Sequence, residues 1–222
     1  MTTEPIRIQH FSDILCIWAY VSDVRIQELR RVFADDVVVD YHFVEVFGDT
    51  AGRLTQRWQD KGGLAAYSRH VADVGARFEH IDVNPAVWTR NVPASSQACH
   101  LFLHAVQLAE GSDALERCAR EMREAFFVRA EDVGTRSAQL ALAEKLSLPR
   151  ASVEQALDDG TAMAQLARDG RLAAEHSIKV SPSIVFNEGR QVLRGNVGYR
   201  VVEANVRELL DAESARQQHS WC

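Results

Sequence analysis

The sequence predicts an α/β fold in which a βαβ unit, a large all-helical insertion and a closing ββα unit follow one another. Three observations carry this. Apolar and polar residues alternate strictly through Ile6-Arg7-Ile8-Gln9-His10-Phe11, which is a strand signal. Residues 37–47 are rich in β-branched and aromatic side chains, as in a buried strand. From Arg57 to Glu175 the apolar residues recur at helical spacing instead.

Each element follows in order. After the first strand, Ser12-Asp13 marks a turn, and Val21, Val24, Leu29, Val32 and Phe33 fall near helical spacing, so a helix runs to about Phe33. Asp35-Asp36 breaks it before the second strand. Strand, helix and strand at this spacing form a right-handed crossover with parallel strands. Within the insertion, Ala98, Leu101, Phe102, Ala105 and Leu108 define one helix, and Leu115, Cys118, Ala119, Met122, Ala125 and Phe126 a second. Further helices are predicted over 135–146, 150–157 and 161–175, separated by Leu148-Pro149 and Asp158-Asp159-Gly160. Ser183-Ile184-Val185-Phe186 and Gln191-Val192-Leu193-Arg194 flank the turn Asn187-Glu188-Gly189 as a β-hairpin, and a helix over 198–213 closes the fold. The expected division is 1–56 and 176–222 for the two halves of one α/β domain, with 57–175 inserted between them.

The 222 residues suffice for a real core without disulfide staples. A net charge of -6 gives no basic footprint of the kind nucleic-acid binders show. No basic, apolar leader opens the chain and no stretch approaches the roughly 20 apolar residues of a membrane span, so a cytoplasmic protein without a membrane or nucleic-acid partner is expected. The four cysteines, Cys16, Cys99, Cys118 and Cys222, form no Cys-x-x-Cys pair and are expected as thiols in a reducing compartment.

Cys16 stands where the first turn hands over to a helix N-terminus. Unpaired backbone N–H groups and the helix dipole stabilise a thiolate at such a place, so a reactive anion is expected there. The competing reading is an inert thiol packing a small apolar site. A second feature, Val180-Ser181-Pro182-Ser183, opens the hairpin, and a proline at a strand mouth often marks an unusual peptide bond. A cis Ser181–Pro182 bond facing Cys16 is predicted.

The segment Phe11-Ser12-Asp13-Ile14-Leu15-Cys16-Ile17-Trp18-Ala19-Tyr20 resembles the Asp-Phe-x-Cys-Pro-Trp-Cys-Tyr opening of DsbA-like thioredoxin-fold oxidoreductases of the FrnE type. It is also similar to the Asp-Phe-x-Ser-Pro-Tyr-x-Tyr opening of 2-hydroxychromene-2-carboxylate isomerases and kappa-class glutathione transferases. The resemblance runs on through Pro93-Ala94-Ser95-Ser96, the 180–183 loop and the Gly195-Asn196 turn. It implies a thioredoxin-like fold, a nucleophilic thiol at Cys16 and a substrate-docking loop at Ser181 and Pro182, with Asn196 beside the substrate; Trp18, flanking the thiol, reads either as lining an apolar substrate groove or as a core aromatic. Such a loop pairs through its backbone with an extended peptide or with glutathione.

Three departures narrow the chemistry: Ala19 replaces the resolving cysteine, Ile17 the usual proline, and Gly195-Asn196-Val197 lacks the Asp-Arg of the glutathione-binding relatives. Without a second sulfur, Cys16 cannot close an internal disulfide. The expected activity is monothiol exchange or isomerisation through a mixed disulfide with a protein or small-molecule partner, with glutathione as co-substrate and no tightly bound cofactor. The alternatives are a glutathione-dependent isomerase or transferase for an aromatic electrophile, and a binding module without chemistry.

Of the other candidates, Cys118 lies on an apolar helical stripe and reads as packing. Cys99, His100 and His104 offer an i, i+4 set, but a zinc site takes four ligands, so packing or surface roles are expected and no metal. Tyr20 reads as a core aromatic. Cys222, on a polar tail, is a possible distant resolving thiol. The apolar insertion leaves a homodimer open.

Overall fold

The computed structural model describes residues 4–219. Strand β1 (Ile6–Ser12) leads into α1 (Ile17–Phe33) and then β2 (Val37–Phe43), which pairs with β1 in parallel from Ile6 opposite Val37 to Ser12 opposite Phe43. Seven helices follow: α2 (Thr50–Trp58), α3 (Gly63–Gly75), α4 (Gln97–Glu110), α5 (Ser112–Phe127), α6 (Arg136–Lys145), α7 (Arg150–Asp158) and α8 (Thr161–Glu175). The chain then returns to the sheet with β3 (Ser183–Phe186) and β4 (Gln191–Arg194) and ends in α9 (Tyr199–His219). The sheet order is β2-β1-β3-β4, with β3 antiparallel to both neighbours. The thioredoxin-like order read from the sequence is therefore present, with the helical block between its halves.

The alternation in β1 sorts its side chains to two faces. Ile6 and Ile8 pack with Ile26, Leu29 and Phe33 of α1 and Val202, Val206 and Leu209 of α9. Phe11 faces the other way, with Val185 and with Ala173 of α8. The third and largest core lies inside the insertion and reaches Ile14, Leu15 and Cys16, so the loop that carries the thiol is packed on its underside by the helical block.

The second strand is shorter than the apolar run suggests. It stops at Phe43; the Val44 N–H still donates to the Ser12 carbonyl, and from residue 46 on the chain turns away. Phe47 is apolar because the insertion covers it: its ring lies 4.9 Å from that of Trp88 and 6.3 Å from that of Tyr67. The helical block accordingly starts at Thr50, capped by the Asp49 side chain, which accepts from the Gly52 N–H.

One buried carboxylate fastens the insertion to the sheet. Asp169 of α8, 2% exposed, accepts from the Phe43 N–H, from His42 Nδ1 and from His104 Nε2, each at 2.7 Å. Three elements, β2, α4 and α8, thus meet at one side chain. Burial disfavours its charge, but the bonds from His104 and His42 outweigh that and hold the carboxyl below the usual carboxylate range. A depressed native value stabilises the fold above the unfolded value near pH ~4 and is lost as pH falls through the native one. Asp169→Asn is therefore expected to cost about 2 kcal/mol of unfolding free energy at neutral pH. Denaturant titrations of both proteins should show the gap narrowing below pH ~4, and a gap independent of pH would contradict the charge assignment.

Candidate active site

Cys16 is the N-cap of α1, with extended backbone (φ -85°, ψ 118°), and its carbonyl accepts from the N–H groups of Ala19 and Tyr20. The Ser181–Pro182 peptide is cis, as the sequence predicts. The two features meet: the Cys16 Sγ–H donates to the Ser181 carbonyl oxygen at 3.3 Å, across 165 positions of sequence.

Asp13 builds this meeting. It is fully buried, and its own N–H donates to Ser181 Oγ at 2.8 Å. Its carboxylate accepts from the Leu15 N–H at 2.9 Å, the Phe47 N–H at 2.8 Å and the Ser96 hydroxyl at 2.8 Å. His100 of α4 completes the floor. Its Nε2 accepts the Ile14 N–H at 3.2 Å, which places the ring proton on Nδ1, and the Phe43 ring stacks on it at 4.8 Å. Burial pushes the His100 pKa down and keeps the ring neutral.

The expectation of a resting thiolate is not met. The Cys16 residue is only 7% exposed, and burial pushes its thiol up. The Ser181 side chain and the backbone N–H groups of Ala19 and Trp18 pull the other way, as a helix start should, while the Asp13 charge adds to the rise. Desolvation wins, and the resting sulfur is a thiol that donates to a carbonyl.

The sulfur nonetheless borders open space. A cleft of about 600 Å³ between α1, α2, α3 and the loop before β3 is lined by Cys16, Trp18, Phe47, Arg53, Tyr67 and Ser181, among others. Trp18 is half-buried there, edge-on to Phe78 at 6.3 Å. Asn196 is not part of this lining. The Gly195 N–H closes on the Pro182 carbonyl at 2.8 Å, but the Asn196 side chain turns to Arg25 of α1. Cys222 lies outside the described residues. Ala19, at the resolving position, is fully buried, and Tyr20 stacks on Phe127 at 5.1 Å as a core aromatic.

The cysteine and histidines of α4 are all buried and face different partners. Cys99 Sγ–H donates to the Val133 carbonyl, His100 serves the Cys16 loop, and His104 serves Asp169. Among the described residues no group of three or more His, Cys, Asp or Glu side chains is arranged to hold a metal. Cys16, Cys99 and Cys118 are free thiols. Sequence reasoning missed Asp13, read only as a turn residue, and the cleft-lining Arg53, Arg57 and Tyr67. The one signal for the arginines was their spacing of four.

Asp13→Ala is expected to destabilise the fold on the order of 3 kcal/mol, since it strands buried donors of charge-assisted bonds. It should also slow Cys16 modification measured well below the unfolding midpoint, whereas a loss of stability with unchanged Cys16 reactivity would show that Asp13 does not position the thiol. In the parent protein, the rate of Cys16 alkylation should keep rising roughly tenfold per pH unit through the ordinary thiol range near ~8.5. A plateau near neutrality would show a low-pKa thiolate instead.

No curated protein matches the chain. Among solved structures, a candidate DsbA oxidoreductase from Streptomyces coelicolor has a TM-score of 0.71 at 20% identity, over 91% of this chain and 89% of that one. The cytosolic disulfide reductase DsbM from Pseudomonas aeruginosa has a TM-score of 0.63 at 15% identity, over 96% and 98%. A 2-hydroxychromene-2-carboxylate isomerase has a TM-score of 0.61 at 14% identity, over 97% and 99%. At these identities the likeness establishes the fold. The family of DSBA-like thioredoxin domains matches residues 7–207, from the first strand into the last helix, and the chain belongs to that family.

Proposed function

We propose that the chain is a cytoplasmic single-cysteine thiol–disulfide oxidoreductase or isomerase that works through a mixed disulfide at Cys16, with glutathione as its co-substrate. The observation that carries this reading is the 3.3 Å contact between the only sulfur on the cleft wall among the described residues and the carbonyl before the cis proline. Membership of the DSBA-like family supports it, as does the likeness to DsbM, a cytosolic disulfide reductase solved with GSH.

In this reading Cys16 loses its proton to solvent and attacks one sulfur of a substrate disulfide. The S–S bond breaks, the other sulfur departs as a thiolate and takes up a proton, and Cys16 is left in a mixed disulfide. Because Ala19 offers no sulfur at the resolving position, an outside thiol attacks that bond. Glutathione does so as its thiolate: its sulfur bonds to the substrate sulfur that Cys16 carries, the Cys16 sulfur departs and takes up a proton, and the product is a glutathione disulfide, which is oxidised glutathione when the substrate is a glutathionylated thiol. The Ser181 carbonyl, relieved of the thiol hydrogen, is free to accept a backbone N–H from the bound partner.

Two rival readings each have an observation behind them. The aromatic lining of Trp18, Trp58 and Tyr67 suits a glutathione-dependent isomerase or transferase for an aromatic electrophile. The raised Cys16 pKa suits a binding module that has given up chemistry. Turnover of a glutathionylated peptide separates the three. The parent should release the peptide thiol and Cys16→Ser should lose activity at least about 100-fold. Equal turnover by both proteins would overturn the proposal, and binding of reduced glutathione without peptide release would favour the transferase reading.

A further inference from the structure

The cleft wall contributed by α2 carries Arg53 and Arg57, one helical turn apart on the same face. The opposite wall carries Lys179, two residues before Ser181. Among the described residues none of the three makes an ion pair with a carboxylate. Glu45 is the one carboxylate in the lining. The cleft is thus cationic in a chain whose net charge is -6, a local reversal of the overall field.

Arg53 is also fixed in place. Its guanidinium lies over the Phe47 ring at 4.8 Å, and the Phe47 N–H is bound to Asp13, so the cation is tied to the network that positions Cys16. Half-buried, it sits beside the like charge of Arg57, and both burial and that charge weaken its hold on its proton. An anion arriving between the two guanidiniums offsets both penalties, and guanidinium forks match carboxylates in geometry as well as in charge.

We propose that Arg53 and Arg57 form a carboxylate-reading subsite of the cleft, selecting thiols and disulfides that carry a carboxylate a few bonds from the sulfur. This deepens the reading of Cys16 as the working thiol and rests on it. The shared chemistry is an acidic group beside a disulfide, whether in a small molecule or in an acidic residue next to a protein disulfide. Lys179, across the cleft, adds to the field that draws such a group in.

The test measures the rate of adduct formation at Cys16, by mass spectrometry of the full chain, with three disulfides of similar size: dithiodipropionate, which is dianionic, hydroxyethyl disulfide, which is neutral, and cystamine, which is dicationic. At low ionic strength the dianion should react at least about tenfold faster than the neutral compound, and the dication slowest. Added salt should compress the series. In R53Q/R57Q the three rates should converge, and R57Q, at an exposed position that leaves the Phe47 contact untouched, should show part of the same loss. Peptide disulfides flanked by Asp or by Asn then tell the protein source from the small-molecule source, a preference for Asp marking the former. Equal rates for the three compounds in the parent, or a charge preference undiminished in R53Q/R57Q, overturn the subsite. Absence of any adduct at Cys16 with all three overturns the reading of Cys16 itself, a separate and recognisable failure.

Discussion

The site depends on one carboxylate that the solvent never touches. Asp13 binds the loop before α1 to itself through Leu15, the loop after β2 through the Phe47 N–H, and the start of α4 through the Ser96 hydroxyl, while its own N–H holds Ser181. Placing a charge there costs several kcal/mol in lost hydration, which only multiple well-made bonds can offset. Three donors supply them. The arrangement is therefore cooperative: segments separated by up to 168 positions are brought into register by a single residue, and the 3.3 Å contact between Cys16 and the Ser181 carbonyl follows from it.

The same carboxylate shapes the chemistry. Its charge adds to burial in keeping the Cys16 proton on, against the pull of the helix start. In the proposed mechanism this has a direction. A thiol with a raised pKa is a poorer leaving group and forms the more persistent mixed disulfide, whereas strong oxidants of this fold class stabilise their reduced thiolate. A buried, protonated Cys16 therefore fits a protein that accepts a sulfur and holds it until an outside thiol takes it. It does not fit one that drives disulfides into others.

Much of the fold was legible because it rests on periodicity. The alternation of Ile6 and Ile8, the helical spacing through 161–175 and the Gly-bearing turn before Gln191 each point to one structure. The cis bond at Ser181–Pro182 and the helix-start position of Cys16 were legible from local chemistry and from resemblance. What was not legible depends on depth and partners. Phe47 looks like the end of the strand because it is apolar, yet Trp88 and Tyr67 of the insertion bury it, not the sheet. A helix N-terminus signals an anion, but the sequence does not say how much water reaches it. Asp13 reads as an ordinary turn residue, and His100 and His104 as packing or surface residues, although His100 accepts the Ile14 N–H under the Cys16 loop and His104 bonds to the Asp169 carboxylate. Asn196 follows the turn the family leads one to expect but spends its side chain on Arg25.

The central claim is that geometry singles out one of the three described cysteines for exchange. Cys99 and Cys118 sit in the core, burial pushing both thiols up, the latter to about 12, while Cys16 alone borders the cleft. Peptide mapping of the native protein after brief exposure to oxidised glutathione tests this most directly. The account predicts a glutathione adduct on Cys16, with Cys99 and Cys118 unmodified. An unmodified Cys16, or label spread equally over the three, would contradict it.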